Sequence, residues 1–332
     1  MSDDLTPIRS TGIGSWPGTD VADAIKIAFA EAPDLPYLPE LPARGAYAGL
    51  VGRGTALLAG LAVDLQPAGW RLADASSREH RLAISTLRSD LDQLEEQVQG
   101  YVGPIKYAVA GPWTLAASVE RPRGDRVLAD RGARRDLGQS LAEGIADLVA
   151  EMRRRLPDAT PVVQLDEPLL PAVLAGSVAT ASGLSRHRPI EPPEVSTALR
   201  YAVERLPDTR ILVHCCAADP PVALLQGAGV QGVLVDTDQL AGAAWDTIGA
   251  ALDAGLEIGL GALPTTGPHL TPDQVARRAL AVLRDLGVDP SCSGQLILTP
   301  ACGLAGTTGA DAVRSLRTVR TAADIVTEQL AS

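Results

Sequence analysis

The sequence predicts an α/β chain, a (β/α)8 TIM barrel with an N-terminal helical extension, occupying residues 1–332 as a single domain. Three observations carry this. Short apolar segments ending in polar or Gly/Pro residues alternate with amphipathic helical stretches, the signature of a parallel sheet. Seven or eight such units in 332 residues suit one closed barrel better than two open sheets. The unusual residues (His, Cys, paired acids) stand where the apolar segments end, which is where barrels keep their chemistry.

The strand segments in chain order are TGIGSWP at 11–17, IKYAVAGPW at 105–113, VVQLDEP at 162–168, ILVHCCA at 211–217, GVLVDTD at 232–238, EIGLGAL at 257–263 and LILTPACG at 296–303. VDLQP at 63–67 is the candidate for the eighth. The helices between them are read from three- and four-residue steps. Ile84, Leu87, Leu91, Leu94 and Val98 mark one, stopped by Gly100. Leu141, Ile145, Leu148, Met152 and Leu156 mark another, stopped by Pro157. After Leu270 a Thr271 cap, Pro272 in the first turn and Gln274 completing a capping box open a helix that Gly287 ends. Val313, Leu316, Val319 and Ile325 mark the last, over 310–330. The first 100 residues hold few strands and predict an extra helical hairpin.

Composition narrows the function classes. Gly and Pro together make up about 17% of the chain, below the quarter or more of a low-complexity polymer. No apolar run reaches the roughly 18 residues of a membrane span, and the start, MSDDLTPIRS, lacks the basic-then-apolar order of a secretory signal. The expectation is a soluble, cytoplasmic protein. A net charge of −11 argues against a nucleic-acid surface. Lysine occurs only at Lys26 and Lys106; the other cations are arginine. The four cysteines, Cys215, Cys216, Cys292 and Cys302, are too few for a disulfide framework, which leaves core thiols, metal ligands or a nucleophile.

Side chains alternate along a strand, so in ILVHCCA His214 and Cys216 share a face and Cys215 points away. A His-x-Cys pair at a strand end is half a zinc site; alone it reads more readily as core. Cys302 in LTPACGLAG follows another strand end and Asp236 in VLVDTD a third. Two thiols and an imidazole favour zinc over magnesium or calcium. Asp236 is the candidate fourth ligand, with Asp238 its rival and a helix cap its plain alternative. In QLDEP, Gln164 and Asp166 share the inward face, where buried polar groups need partners or a ligand. The Gly-Ser turn at Ser15 offers backbone N–H groups and a hydroxyl to a carboxylate. Trp113 either stacks on a flat ligand or plugs the barrel. ERPRGDR at 120–126 is an anion site or a solvated loop. The stretch 174–193 has the length and composition of a lid, and His187 within it is expected at the surface. No Walker loop, GxGxxG after a strand, HExxH or GxSxG occurs.

These segments, in this order, resemble the C-terminal catalytic barrel of the cobalamin-independent methionine synthase family. The residues that carry the resemblance are Ile13-Gly14-Ser15, Gly111-Pro112 with Thr114, Gln164-x-Asp166-Glu167-Pro168, His214-x-Cys216, Asp236 and Pro300-x-Cys302-Gly303-Leu304, so it spans essentially the whole chain. It implies zinc on His214, Cys216, Asp236 and Cys302, the homocysteine amino group on Asp166, and its carboxylate near Ser15. It also implies a second acidic clamp, for which Glu40 in LPELP is the candidate. The implied partners are homocysteine and a methyl donor, a methyltetrahydrofolate or, as in stand-alone versions of this barrel, a methyl-corrinoid protein.

Departures from the family pattern bear on the donor. The N-terminal barrel of the family is missing, and Asp236 replaces a glutamate. Ala262 and Pro264 stand where the family has an Asp and a catalytic His. Ala117 and Ala172 stand where it has a folate-stacking Trp and a folate-contacting Glu. Two rivals stay open: a relative in the wider superfamily, such as a coenzyme-M-type methyltransferase or a uroporphyrinogen decarboxylase relative, and a zinc- or thiol-binding protein without catalysis.

Overall fold

A computed structural model describes residues 5–332. The main sheet has seven parallel strands: β1 (Arg9–Ser10), β4 (Gly103–Ala110), β5 (Ala159–Asp166), β6 (Arg210–Cys215), β7 (Gly232–Asp236), β8 (Glu257–Leu263) and β9 (Leu296–Pro300). Between β1 and β4 in sequence lie β2 (Ala62–Gln66) and β3 (Gly69–Ala73), which pair only with each other and antiparallel. The order in the main sheet is β1-β9-β8-β7-β6-β5-β4.

The expected eighth strand, VDLQP, is therefore not part of the main sheet. Its Gln66-Pro67-Ala68-Gly69 run turns the chain back at once (Gly69 has φ +131°), so it forms a ribbon. The gap between β1 and β4 is spanned instead by residues 36–40. Lys106 N–H donates to Pro36 O at 2.8 Å and Leu38 N–H to Lys106 O at 3.0 Å on one side. Glu40 N–H donates to Gly14 O at 3.0 Å and Trp16 N–H to Glu40 O at 2.7 Å on the other. Pro36 and Pro39 lack the N–H groups a regular ladder needs, so this segment is absent from the strand pattern of the sequence.

The expected N-terminal helical hairpin is also corrected. Helices Leu50–Ala56 and Arg78–Gln97 are present, but the β2–β3 ribbon separates them. Elsewhere helices alternate with strands as read. The helix predicted from 141 begins earlier, at Arg131, because the Asp130 side chain accepts from Ala133 N–H and caps it. The Thr271–Gln274 capping box forms. No described helix is long and apolar enough to cross a membrane.

Two apolar layers hold the fold. Between sheet and helices lies the larger one, to which β5 contributes Val163 and Leu165. Inside the sheet's curve, Ile13, Leu35, Val162, Leu212, Leu234 and Ile297 form a second, fully buried plug. Those inner residues fill the floor beneath the strand ends, as in closed barrels.

The long helix Arg131–Arg155 docks on the turn at 57–59 through small residues. Ser140 Oγ donates to Ala59 O at 2.8 Å, and a Cβ added at Gly144 would stand 1.5 Å from Leu57 O. Ala is the better helix former by about 1 kcal/mol, but here it meets backbone that cannot yield, and overpacking costs typically 1–3 kcal/mol or more. Gly144→Ala is expected to lower the thermal midpoint followed by circular dichroism; an unchanged or raised midpoint would contradict this packing.

Candidate metal and substrate site

The polar residues collect at the carboxyl ends of the strands. Asp166 ends β5 and pairs in register with His214 of β6. Cys216 follows β6 directly, and Cys302 lies two residues past β9. One imidazole nitrogen of His214 and the two sulfurs lie within 4.8 Å of one another. The sulfurs are 3.4 Å apart.

His214 is 3% exposed. Its Nδ1 lies 3.1 Å from Asp166 Oδ1, while its Nε2 is buried without a partner. A buried polar atom without a partner is costly, and this one belongs to the group that faces two thiols. Tetrahedral zinc with bonds of about 2.3 Å to sulfur separates two thiolates by about 3.8 Å, so the present spacing needs only a small opening. The donor set and the unpartnered nitrogen thus fit a zinc ion. The two thiols are hydrogen-bonded to each other and titrate as a pair: their contact lowers the first proton loss, on Cys302, and raises the second, on Cys216. Cys215 is fully buried, its thiol pushed by burial to about 12, and it stands outside the cluster, as strand alternation requires. Cys292 lies in the turn Pro290–Gln295, packed on the outer core.

Asp236, expected as fourth ligand, is not in the His-Cys-Cys group. Its Oδ1 accepts from Asp238 N–H at 3.0 Å, which makes it the cap of the turn Thr237–Gln239, and burial raises its carboxyl. Asp238 pairs with Arg278. Among the described residues three donors, His214, Cys216 and Cys302, converge within 4.8 Å of one another.

Beside this group stand two more carboxylates. Asp166 spends Oδ1 on Gln164 Nε2, at 2.7 Å, and on His214. Glu40, 6% exposed, sits in the bridging segment opposite Ser15. Burial pushes its carboxyl up to about 7, Arg53 pulls it down and the nearby Asp166 charge pushes it up. Ser15 lies against the turn after Cys302: Leu304 N–H donates to Ser15 O at 2.9 Å, and a Cβ at Gly303 would meet Ser15 Oγ at 2.0 Å. Gly303 is what allows the Ser15 turn and the Cys302 turn to touch.

A carboxyl whose folded value lies near 7 against 4.5 unfolded ionises first in the unfolded chain. Its stabilising share is complete below pH 4.5 and lost as pH rises through 7. Glu40→Gln is therefore expected to flatten the fall of the thermal midpoint between pH 5 and pH 7.5 relative to the parent protein. Equal pH dependence of the two would show that Glu40 does not carry a raised pKa.

Several other expectations find their places. Trp113 is 2% exposed, and its Nε1 donates to Val195 O at 3.3 Å. It forms the wall between helices Pro112–Ser118 and Pro192–Glu204 and lines an outer cleft of about 420 Å³ with Arg131 and Tyr201. Its burial and this hydrogen bond favour the packing reading over the stacking one. Glu167, fully buried, accepts from Trp113 N–H, Thr114 N–H and Thr114 Oγ1 at 2.9, 2.7 and 2.8 Å. It thereby ties the Gly111-Pro112 turn to β5. Arg126 of the basic loop donates to Ala117 O at 2.8 Å, and Arg121 pairs with Asp130, so these charges are engaged within the fold. His187, expected at the surface, is 9% exposed and lies 3.2 Å from Asp125, where it pins the 174–193 loop to the basic one.

Sequence reasoning missed Lys106, whose inward position within an apolar strand was a visible signal, and the role of 36–40 as a bridge.

No curated protein matches the sequence. Among solved structures the chain is similar to a B12-independent methionine synthase from Shewanella sp. W3-18-1 in complex with selenomethionine. Identity is 13% and the TM-score 0.63, over 98% of this chain and 99% of that one. A β-mannanase from the blue mussel Mytilus edulis aligns at 9% identity over 95% and 92% of the chains, but at a TM-score of 0.45 it carries no argument. The family model described as the catalytic domain of cobalamin-independent synthase matches residues 8–325. With nearly the whole chain matched, this protein belongs to the cobalamin-independent synthase catalytic-domain family.

Proposed function

We propose that this chain is a zinc-dependent methyltransferase that moves a methyl group to the thiol of homocysteine and releases methionine. The observation that carries the proposal is the His214 Nε2 without a partner beside Cys216 and Cys302, with two acids adjacent. The complex of the Shewanella relative with selenomethionine, an analogue of the proposed product, supports the same reading. A decarboxylase relative has no use for a thiolate cluster.

His214, Cys216 and Cys302 would hold zinc, which when bound lowers the pKa of a coordinated substrate thiol and presents it as thiolate. The chain's own residues do the rest. The uncommitted Oδ2 of Asp166 and the Glu40 carboxyl receive the substrate ammonium. Ser15 and its turn receive the carboxylate. An ammonium between two acids in a dry site keeps Glu40 ionised, which offsets its burial. Asp236, whose charge acts on His214, is kept as the candidate fourth ligand, one that the substrate thiol would displace.

The family's cobalamin-independent character gives the methyl-corrinoid donor no support, so the donor we propose is a methyltetrahydrofolate. Ala117 and Ala262 are buried, and neither methyl group replaces a stacking ring or a carboxylate. Losing several contacts of roughly 1 kcal/mol each slows the reaction about a hundred-fold or more. Purified, zinc-loaded protein with homocysteine and methyltetrahydropteroyl-triglutamate is expected to form methionine slowly, with weak saturation by folate. Saturation at micromolar folate would show that other residues replace the missing pterin contacts. No methionine at any folate concentration would refute the methyltransferase reading with this donor.

A further inference from the structure

Lys106 is one of two lysines in a chain whose other cations are all arginine, and it is completely buried within the sheet's curve. Its Nζ donates to Gly12 O at 2.6 Å, to Ile13 O at 3.0 Å and to Gln164 Oε1. Three oxygen acceptors around one nitrogen call for three donors, which only the ammonium form supplies. Burial pulls its pKa down to about 7, a lowering that the Asp166 charge opposes and the Arg210 charge reinforces.

Because an ammonium only donates, the end of the Gln164 amide that faces it is the carbonyl oxygen. The amide nitrogen is thereby aimed the other way, and it donates to Ile13 O at 2.9 Å and Asp166 Oδ1 at 2.7 Å. Asp166 Oδ1 is then an acceptor, so the contact with His214 Nδ1 at 3.1 Å is an Nδ1–H donating to it. In neutral imidazole that leaves the lone pair on Nε2, the atom that is buried without a partner. Each step has one polarity, and the whole is fixed at its far end by a group that cannot reverse.

We propose that Lys106 is a positioning residue: through Gln164 and Asp166 it locks His214 in the Nδ1–H tautomer, so that Nε2 is the ligand nitrogen. The path runs diagonally across β4, β5 and β6, on side chains that all face inward. It also places one buried positive charge under the acids and thiols of the site. Outer partners of ligand histidines are worth ten- to a hundred-fold in metal affinity. The metal arm of this inference rests on the zinc reading above; the tautomer arm does not.

The test uses the full chain in two states. The four histidines give few enough signals for a long-range proton–nitrogen spectrum of metal-free, imidazole-labelled protein, recorded at pH 7, where the Lys106 ammonium is still populated and an ordinary imidazole is mostly neutral. The parent protein is expected to show His214 as Nδ1–H. In Lys106→Met and in Gln164→Met the same ring is expected to show a mixture of tautomers. Zinc affinity by chelator competition is expected to fall ten- to a hundred-fold in both variants. If Lys106→Met does not fold, Gln164→Met, which keeps the buried charge and its two backbone partners, decides alone. A folded variant that retains a pure Nδ1–H ring, with zinc affinity within two-fold of the parent, overturns the proposal. Failure of the parent protein itself to bind zinc would refute the metal reading, while the tautomer comparison would still test the relay.

Discussion

Cys216→Ser and Cys302→Ser are each expected to abolish stoichiometric zinc binding, and with it methyl transfer, while Cys215→Ala and Cys292→Ser keep both. The difference follows from placement. Cys216 and Cys302 stand with their sulfurs 3.4 Å apart beside an imidazole. Cys215 is sealed on the opposite face of the same strand, and Cys292 lies in a distant turn. Removing one of three protein donors should cost more than the ten- to hundred-fold that outer partners are worth. Metal content after dialysis, measured by mass spectrometry, separates the four variants. Equal retention in all four would show that the cluster is a core feature.

The second large effect is expected at Asp166. Viewed as a substrate clamp alone, Asp166→Asn would weaken homocysteine and leave the metal untouched. The structure gives Asp166 a second duty, since its Oδ1 accepts from both Gln164 and His214. The substitution is therefore expected to weaken homocysteine by about ten- to a hundred-fold, the value of a charged hydrogen bond, and to weaken zinc as well. Calorimetric titration of zinc into stripped protein, then of homocysteine into loaded protein, reads the two losses separately. Unchanged zinc affinity would confine Asp166 to the substrate; unchanged homocysteine affinity would confine it to the ligand network.

Much of this site was legible in the sequence because its residues obey the period of two. His214 and Cys216 share a face, Cys215 does not, and QLDEP puts Gln164 and Asp166 on one line. The Thr271–Gln274 box and the helix at 309–330 were legible through capping and apolar spacing. What escaped depends on long-range pairing or on side-chain choice. VDLQP has the look of a strand, yet its short turn pairs it with Gly69–Ala73, while the proline-broken 36–40 segment takes the bridging place. Asp236 stands at the predicted strand end, and the N–H of Asp238 holds its Oδ1, a contact that strand position does not reveal. Trp113 has the same apolar context whether it plugs or stacks, and its hydrogen bond to Val195 O depends on a partner distant in sequence. His187 lies in a polar loop that predicts exposure; its facing partner Asp125 is distant in sequence.

The central claim is that His214, Cys216 and Cys302 form a three-donor zinc site whose open position takes the substrate thiol. X-ray absorption at the zinc edge, on the loaded protein with and without homocysteine, tests it most directly. Two sulfur ligands and one imidazole are expected in the resting protein, and a third sulfur once homocysteine is added. A sulfur count that does not change with homocysteine would contradict it.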